Sequence, residues 1–157
     1  METIIFTSML GTEYLNQLEK LLFFNQNQQA VRAEIVGAVE RYGAPEVVKE
    51  NGRLRVQLKG PEPAQSLFAI EGRALVRRLI GAMVYCRADA ERLALLHLAV
   101  RKDYAAGGKN ARHLLALRLI GKLREIARQI RGIKAISVFY GDREPWLIPV
   151  PQTERSG

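Results

Sequence analysis

The chain has 157 residues, of which 48% are apolar and 25% charged, a composition typical of one globular domain with a full hydrophobic core. The single cysteine excludes an internal disulfide, and with two histidines it is too little for an obvious zinc site, so we expect no metal. The sequence shows neither a signal peptide nor an apolar run of membrane length, and we therefore expect a cytoplasmic protein. The net charge is +8, and most of the excess lies from His97 onward, where 12 basic residues stand against 5 acidic ones. This positive field favours a nucleotide cofactor, nucleic acid or an anionic membrane surface as a partner, and the structural alternative is a solvated surface that maintains solubility.

The first third of the chain predicts one strand and two helices. Thr3–Thr7 is rich in β-branched and aromatic residues and predicts a strand. Thr12 is a candidate cap for a helix that carries four leucines between Leu15 and Leu22 at helical spacing. The polar run Asn25–Gln29 predicts a break before a second helix at Ala30–Tyr42.

An antiparallel meander of strands is predicted for residues 47–100. Asn51 and Gly52 lie between two alternating runs, and this pair is typical of a hairpin turn in which both residues have positive φ. Three further strand-like runs follow, at Ser66–Ile70, Arg78–Cys86 and Leu93–Val100.

The most informative segment continues from that last strand. The glycine-containing loop Arg101–Lys109 leads into a long basic helix, Asn110–Arg131, and then into a strand, Ile133–Tyr140. A strand that feeds a glycine loop into a helix N-terminus forms an anion site, because unpaired N–H groups and the helix dipole converge there. The long crossover also predicts that the two flanking strands are parallel neighbours.

The order of elements predicts an α+β fold in which helices pack on the faces of a mixed, mostly antiparallel sheet. We expect one domain over residues 1–141. Residues 142–157 predict an irregular tail with one short edge strand near Trp146–Ile148.

The segment Leu96–Leu115 resembles the GNAT superfamily of acyl-CoA-dependent N-acyltransferases. The resemblance is carried by the run Leu96–Val100, the loop Gly107–Ala111 and the Leu114-Leu115 pair that follows. The order of elements from Met1 to Tyr140 also matches that family. The chain departs from the family's glycine spacing in the loop and has a shorter C-terminal part.

The resemblance implies binding of acetyl-CoA or another acyl-CoA, and transfer of the acyl group to an amine of a small molecule or peptide. Backbone groups of Leu98 and Val100 would pair with the pantetheine amides. The pyrophosphate would be held by five backbone N–H groups, those of Gly107, Gly108, Lys109, Asn110 and Ala111. The Lys109 and Arg112 side chains would suit the pyrophosphate or the ribose phosphate of CoA.

Acyl transfer also needs a base for the amine and an acid for the departing thiolate. Glu91, before the Leu93 strand, is the candidate base, and Tyr140, at the end of the last strand, is the candidate acid. Structural interpretations stand beside these: a solvated turn carboxylate for Glu91 and a packing tyrosine for Tyr140. His97 is interpreted as a hydrogen-bonded core histidine.

Two alternative functions use other features of the chain. A nucleic-acid-binding face would be formed by Arg101, Lys102, Lys109, Arg112, Arg118 and Lys122. Tyr104 is the single aromatic residue interleaved among them, which gives little capacity for base stacking. The other alternative is a non-catalytic interaction module, a homodimer through the apolar tail Trp146–Val150.

Overall fold

A computed structural model describes residues 3–23, 45–58, 63–73, 76–105, 107–138 and 146–151. The strands within these ranges are β1 (Thr3–Thr7), β2 (Leu10–Gly11), β3 (Pro45–Glu50), β4 (Arg53–Leu58), β5 (Ala64–Arg73), β6 (Val76–Arg87), β7 (Arg92–Val100), β8 (Ala135–Val138) and β9 (Trp146–Pro149). The helices are α1 (Leu15–Phe23) and α2 (Leu115–Gln129), and 3₁₀ turns cover Thr12–Tyr14, Lys102–Tyr104 and Ala111–His113. This mixed architecture confirms the predicted α+β class.

The strands form two sheets. Six of them make the larger sheet in the order β1-β5-β6-β7-β8-β9, which is antiparallel except for the parallel pair β7 and β8. The predicted parallel neighbours are thereby confirmed. The smaller sheet has the order β2-β4-β3.

The prediction of one continuous meander over residues 47–100 is wrong. The hairpin of β3 and β4 belongs to the smaller sheet because β4 pairs on its second edge with β2, where Leu10 lies opposite Leu54. β5 instead pairs with β1, with Ile5 opposite Ile70. The predicted hairpin turn is confirmed, since Asn51 and Gly52 have φ values of 53° and 75°.

Two hydrophobic cores lie on opposite faces of the larger sheet. On the first face, α1 and the smaller sheet pack over strand residues such as Phe68, Leu79 and Val84. On the second face, α2 packs over residues such as Ile80, Met83 and Ile136. We call these the α1 face and the α2 face. Each fully buried leucine or isoleucine contributes roughly 2 kcal/mol to the free energy of folding.

The long basic helix begins later than predicted. α2 starts at Leu115, five residues after Asn110, and Leu114 precedes it in the left-handed region with φ 49°. The Asn110 N–H donates to the carbonyl oxygen of Asp103 at 2.7 Å, which holds this residue in the loop and out of the helix. The predicted core stripe is confirmed where Leu119, Leu123 and Ala127 are fully buried.

Three other predicted elements have different outcomes. The predicted Thr12 cap is wrong, because Thr12 opens a 3₁₀ turn that precedes α1, and this turn has Gly11 at its cap position without a side-chain cap bond. The predicted helix Ala30–Tyr42 lies outside the described residues. The short strand near Trp146 is confirmed as β9, which pairs with β8.

Two glycine replacements test this backbone. Gly52→Ala should lower the free energy of unfolding by about 1 kcal/mol, because φ of +75° is disfavoured for alanine. Gly121→Ala in α2 should raise it by up to about 1 kcal/mol, because a Cβ there meets no atom within 4 Å and alanine favours helix. Urea unfolding measures both changes. A stabilised Gly52 variant would contradict the turn conformation.

Candidate ligand-binding site

The edge of β7 that faces β8 is only partly paired. On its other edge, β7 pairs with β6 from Leu93 to Val100. β8 pairs only with the first part, Arg92–Leu95. Beyond Leu95 this side of β7 has no ladder partner among the described residues. We call the stretch Leu96–Ala99 the open edge.

The hydrogen-bond register turns the backbone of Leu98 toward the open edge. The Arg101 N–H donates to the carbonyl oxygen of Ile80 at 2.8 Å, next to the Gly81–Val100 pair, which makes that pair one without mutual hydrogen bonds. Alternation along the strand then directs the Ala99 backbone to β6, and the Leu98 N–H and C=O away from it. Val100 shares the orientation of Leu98 but already has an interaction within the protein. The outward-facing N–H and C=O of Leu98 are a template for an extended ligand that carries amide groups.

The loop after β7 uses its own amide groups. The N–H groups of Gly108 and Ala111 donate to Ala105 and Gly108 carbonyl oxygens at 2.9 and 3.2 Å, and that of Asn110 donates to Asp103. A Cβ on Gly108 would lie 2.5 Å from the carbonyl oxygen of Asp103, so glycine is required for the loop to pack on itself. Three of the five amides expected to hold a pyrophosphate are therefore engaged within the loop.

An ionic network joins this loop to the sheet. The Arg78 guanidinium on β6 contacts the carboxylates of Glu71 and Asp103 at 2.9 and 3.2 Å. Asp103 also accepts hydrogen bonds from Arg101 at 3.3 Å and from the Asn110 side chain at 3.2 Å. The Glu71 side chain is 6% exposed and that of Asp103 is 18% exposed, so these contacts are shielded from water.

The charges in this network support one another. Burial opposes ionisation of Asp103, but the positive charge of Arg78 and the contacts with Arg101 outweigh it and hold the pKa of this carboxyl below its usual value. Burial likewise opposes the charge of Arg78, and its bonds to Glu71 and Asp103 outweigh that effect and raise its pKa. Asp103 and Arg78 are therefore ionised at neutral pH.

A cavity of about 660 Å³ opens between α1 and the same loop. Lys20 from α1, together with Arg101, Lys102 and Lys109 from the loop, lines it, and Asp103 is the one acidic residue among its lining residues. Lys20, Lys102 and Lys109 form no ion pair with a described residue. We call this space the basic cavity. Periodicity in the sequence gives no signal that Lys20 joins residues more than eighty positions away.

The candidate base Glu91 is not brought to the open edge. Glu91 precedes β7 at the end opposite the loop, roughly 20 Å along the strand from Leu98. Its carboxylate is exposed and lies 3.3 Å from the Lys134 ammonium, a surface pair of small energetic value. Tyr140 lies outside the described residues.

His97 lies on the α1 face of β7, opposite Val84. Its Nε2 is buried and has no hydrogen-bond partner, although the sequence predicted a hydrogen-bonded core histidine. Burial lowers its pKa to about 4, so the imidazole is neutral at physiological pH.

The cations predicted to form a nucleic-acid face are divided between two surfaces. Arg118 and Lys122 lie over the Phe6 ring, at 5.3 and 5.5 Å from its centroid, which gives both a structural role on the α2 face. Lys102 and Lys109 line the basic cavity instead. Arg112 is exposed in the 3₁₀ turn before α2 and makes no ion pair with a described residue.

The apolar tail contributes to the fold. Val150 is 4% exposed and packs in the core of the α2 face, and Ile148 is partly buried against the same core. Leu147 is 49% exposed.

Comparison with known proteins gives no relative: no family model matches the chain, and no curated protein or solved structure matches it. The resemblance to the GNAT superfamily therefore remains a prediction from the sequence. Within the described ranges, no group of histidine, cysteine or acidic residues could hold a metal ion. No helix in those ranges is long and apolar enough to cross a membrane.

The ionic network can be tested with adjacent arginines. Arg78→Met should lower the free energy of unfolding by about 3 kcal/mol, because it leaves Glu71 buried without its cation and leaves Asp103 with Arg101 alone. Arg77→Met, at the exposed neighbouring position, should change it by less than about 0.5 kcal/mol. Urea unfolding measures the change in unfolding free energy of each variant, and amide hydrogen exchange at Asn110 measures opening of the loop. Equal losses of unfolding free energy in the two variants would contradict a stabilising role of the Arg78 ion pairs.

His97→Gln should flatten the dependence of stability on pH between about 6.5 and 4. The folded imidazole stays neutral down to about pH 4, whereas in the unfolded chain it takes a proton near its usual pKa of 6.5. The unfolded state thus binds more protons in this window, and stability falls as the pH falls, by up to about 3 kcal/mol. Urea unfolding at several pH values measures the slope, and an unchanged slope in the variant would show that His97 titrates normally.

Proposed function

We propose that this chain binds acyl-CoA, with the amide groups of pantetheine paired along the open edge of β7. The observation that carries the proposal is the outward orientation of the Leu98 N–H and C=O on an edge that β8 leaves unpaired. Pantetheine has two amides in an extended chain, so it can add to a strand edge as a peptide does. The sequence resemblance at Leu96–Leu115 supports the same ligand.

The phosphate end of the ligand requires positive charge near the loop. Because the amides of Gly108, Asn110 and Ala111 are engaged, side chains supply that charge. Lys109 and Arg112 lie in the loop and the 3₁₀ turn that follow β7, and they are exposed cations without ion-pair partners among the described residues. They suit an anion docked at this loop.

Transfer of the acyl group to an amine of a small molecule or peptide is the reaction that bound acyl-CoA permits. The amine nitrogen attacks the thioester carbonyl, a C–N bond forms, the C–S bond breaks, and a proton passes from nitrogen to the thiolate through a base and an acid. Glu91 lies too far along β7 from Leu98 to take that proton directly. We therefore restrict the proposal to binding, and an assay for acylated amines tests transfer separately.

Titration with acetyl-CoA and longer acyl-CoAs tests binding. A ligand at about 100 times its Kd should add about 2.7 kcal/mol of stability, seen as a raised Tm, and should shift the Leu98 N–H resonance. Duplex DNA at about 0.15 M salt serves as the control polyanion. Stabilisation by DNA without any response to the CoA thioesters would replace this proposal with the nucleic-acid alternative.

Two substitutions at Leu98 separate its backbone from its side chain. Leu98→Pro removes the outward N–H while sparing the bonds between β6 and β7, so acetyl-CoA affinity should fall by about tenfold. Leu98→Val keeps the N–H and should bind normally. Equal affinity in both variants, or equal loss in both, would contradict pairing through this amide. The Leu98 resonance of the unmodified chain provides the readout if the proline variant does not fold.

A further inference from the structure

The basic cavity collects cations from distant parts of the chain into one concave space. Lys20 comes from α1, Lys102 from the 3₁₀ turn after β7, and Lys109 from the loop that follows. We propose that this cavity binds a ligand bearing two or more phosphates through the side chains of these three lysines. The proposal goes beyond acyl-CoA binding, because the lysines would recognise adjacent phosphates, which a free nucleotide carries as well as CoA.

The charge balance of the cavity favours an anion. Arg78 and Arg101 also line it, but both contact Asp103, and Arg78 contacts Glu71 as well. The three lysines have no such partner among the described residues. Like charges that converge on one concavity repel each other, and a polyphosphate placed between them would relieve that repulsion.

The floor of the cavity is formed by packed core side chains and one amide. Leu21 and Leu79 are 5% and 1% exposed and close the cavity from below. Gln17 accepts a hydrogen bond from the Leu79 N–H at 2.9 Å, which fixes α1 against β6 and leaves the amide nitrogen of Gln17 as a donor for the ligand. The volume of about 660 Å³ is in the range of small-molecule sites.

The mode of anion binding differs from that expected at a helix N-terminus. α2 begins at Leu115, beyond the loop, and the amides of Gly108 and Asn110 are already bonded. Affinity in the basic cavity therefore comes from flexible ammonium groups, which hold phosphate as point charges. Charge reversal of the lysines should abolish binding without disturbing the backbone of the loop.

A pair of double variants with equal changes in charge tests the site. Inorganic pyrophosphate, ADP, CoA and pantetheine are each titrated by calorimetry into the wild type, into Lys102→Glu/Lys109→Glu, and into Lys49→Glu/Arg128→Glu. Lys49 on β3 and Arg128 on α2 are exposed and lie outside the cavity lining. Reversal at Lys102 and Lys109 should weaken pyrophosphate and ADP by about tenfold or more, and the control should not.

The results also separate the sources of phosphate. Tighter binding of CoA than of ADP, with loss in the cavity variant, identifies the phosphate end of CoA as the ligand, whereas equal binding of both identifies a free nucleotide. Either result supports the site. Absence of pyrophosphate and ADP binding, or equal loss in the two double variants, overturns it, as does preferential binding of duplex DNA that both variants weaken.

The two proposals fail in different ways. If acetyl-CoA shifts the Leu98 resonance but reversal of Lys102 and Lys109 leaves the affinities for CoA and ADP unchanged, the basic cavity is not the site and acyl-CoA binding stands. If reversal abolishes ADP binding and acetyl-CoA never shifts that resonance, the cavity stands and acyl-CoA binding is overturned.

Discussion

The Arg78 guanidinium connects three parts of the chain that local sequence would leave independent. It binds Glu71 on β5 and Asp103 in the loop, while Asp103 in turn holds Arg101 and Asn110. Because Asn110 is held by both its backbone and its side chain, the segment after the glycines cannot join the helix, and α2 starts only at Leu115. The geometry of the loop, the start of the helix and the mouth of the basic cavity all depend on this buried charge pairing.

That arrangement separates two kinds of binding group around one loop. The loop amides stabilise the loop itself, so positive side chains provide the attraction for phosphate, whereas the strand before the loop offers an amide at Leu98 that has no ladder partner among the described residues on the β8 side. A ligand with both an extended amide chain and a phosphate end could use both groups. Ligands that have one of these parts would use one surface alone, which is why each surface carries its own proposal.

The sequence predicted the elements that depend on interactions between residues close together in the chain. β1, the Asn51-Gly52 turn and the buried stripe of α2 follow from propensity, turn chemistry and periodicity. The separate small sheet and the late start of α2 depend on the pairing of β4 with β2 and on the bond from Asn110 to Asp103, contacts that no periodicity encodes.

The candidate site follows the same division between local and distant contacts. The resemblance named Leu98, but its outward orientation depends on the register with β6. Lys20 joins the basic cavity because α1 packs on the larger sheet, where its leucines are buried and Gln17 accepts a hydrogen bond from the Leu79 N–H of β6. The parallel pairing of β7 with β8 has a consequence for folding, since Leu93 and Ile136 are separated in sequence by the whole of α2, and contacts of such long separation form slowly. β9 is attached to the sheet through β8, so these two strands should open together, as one cooperative unit beside the open edge.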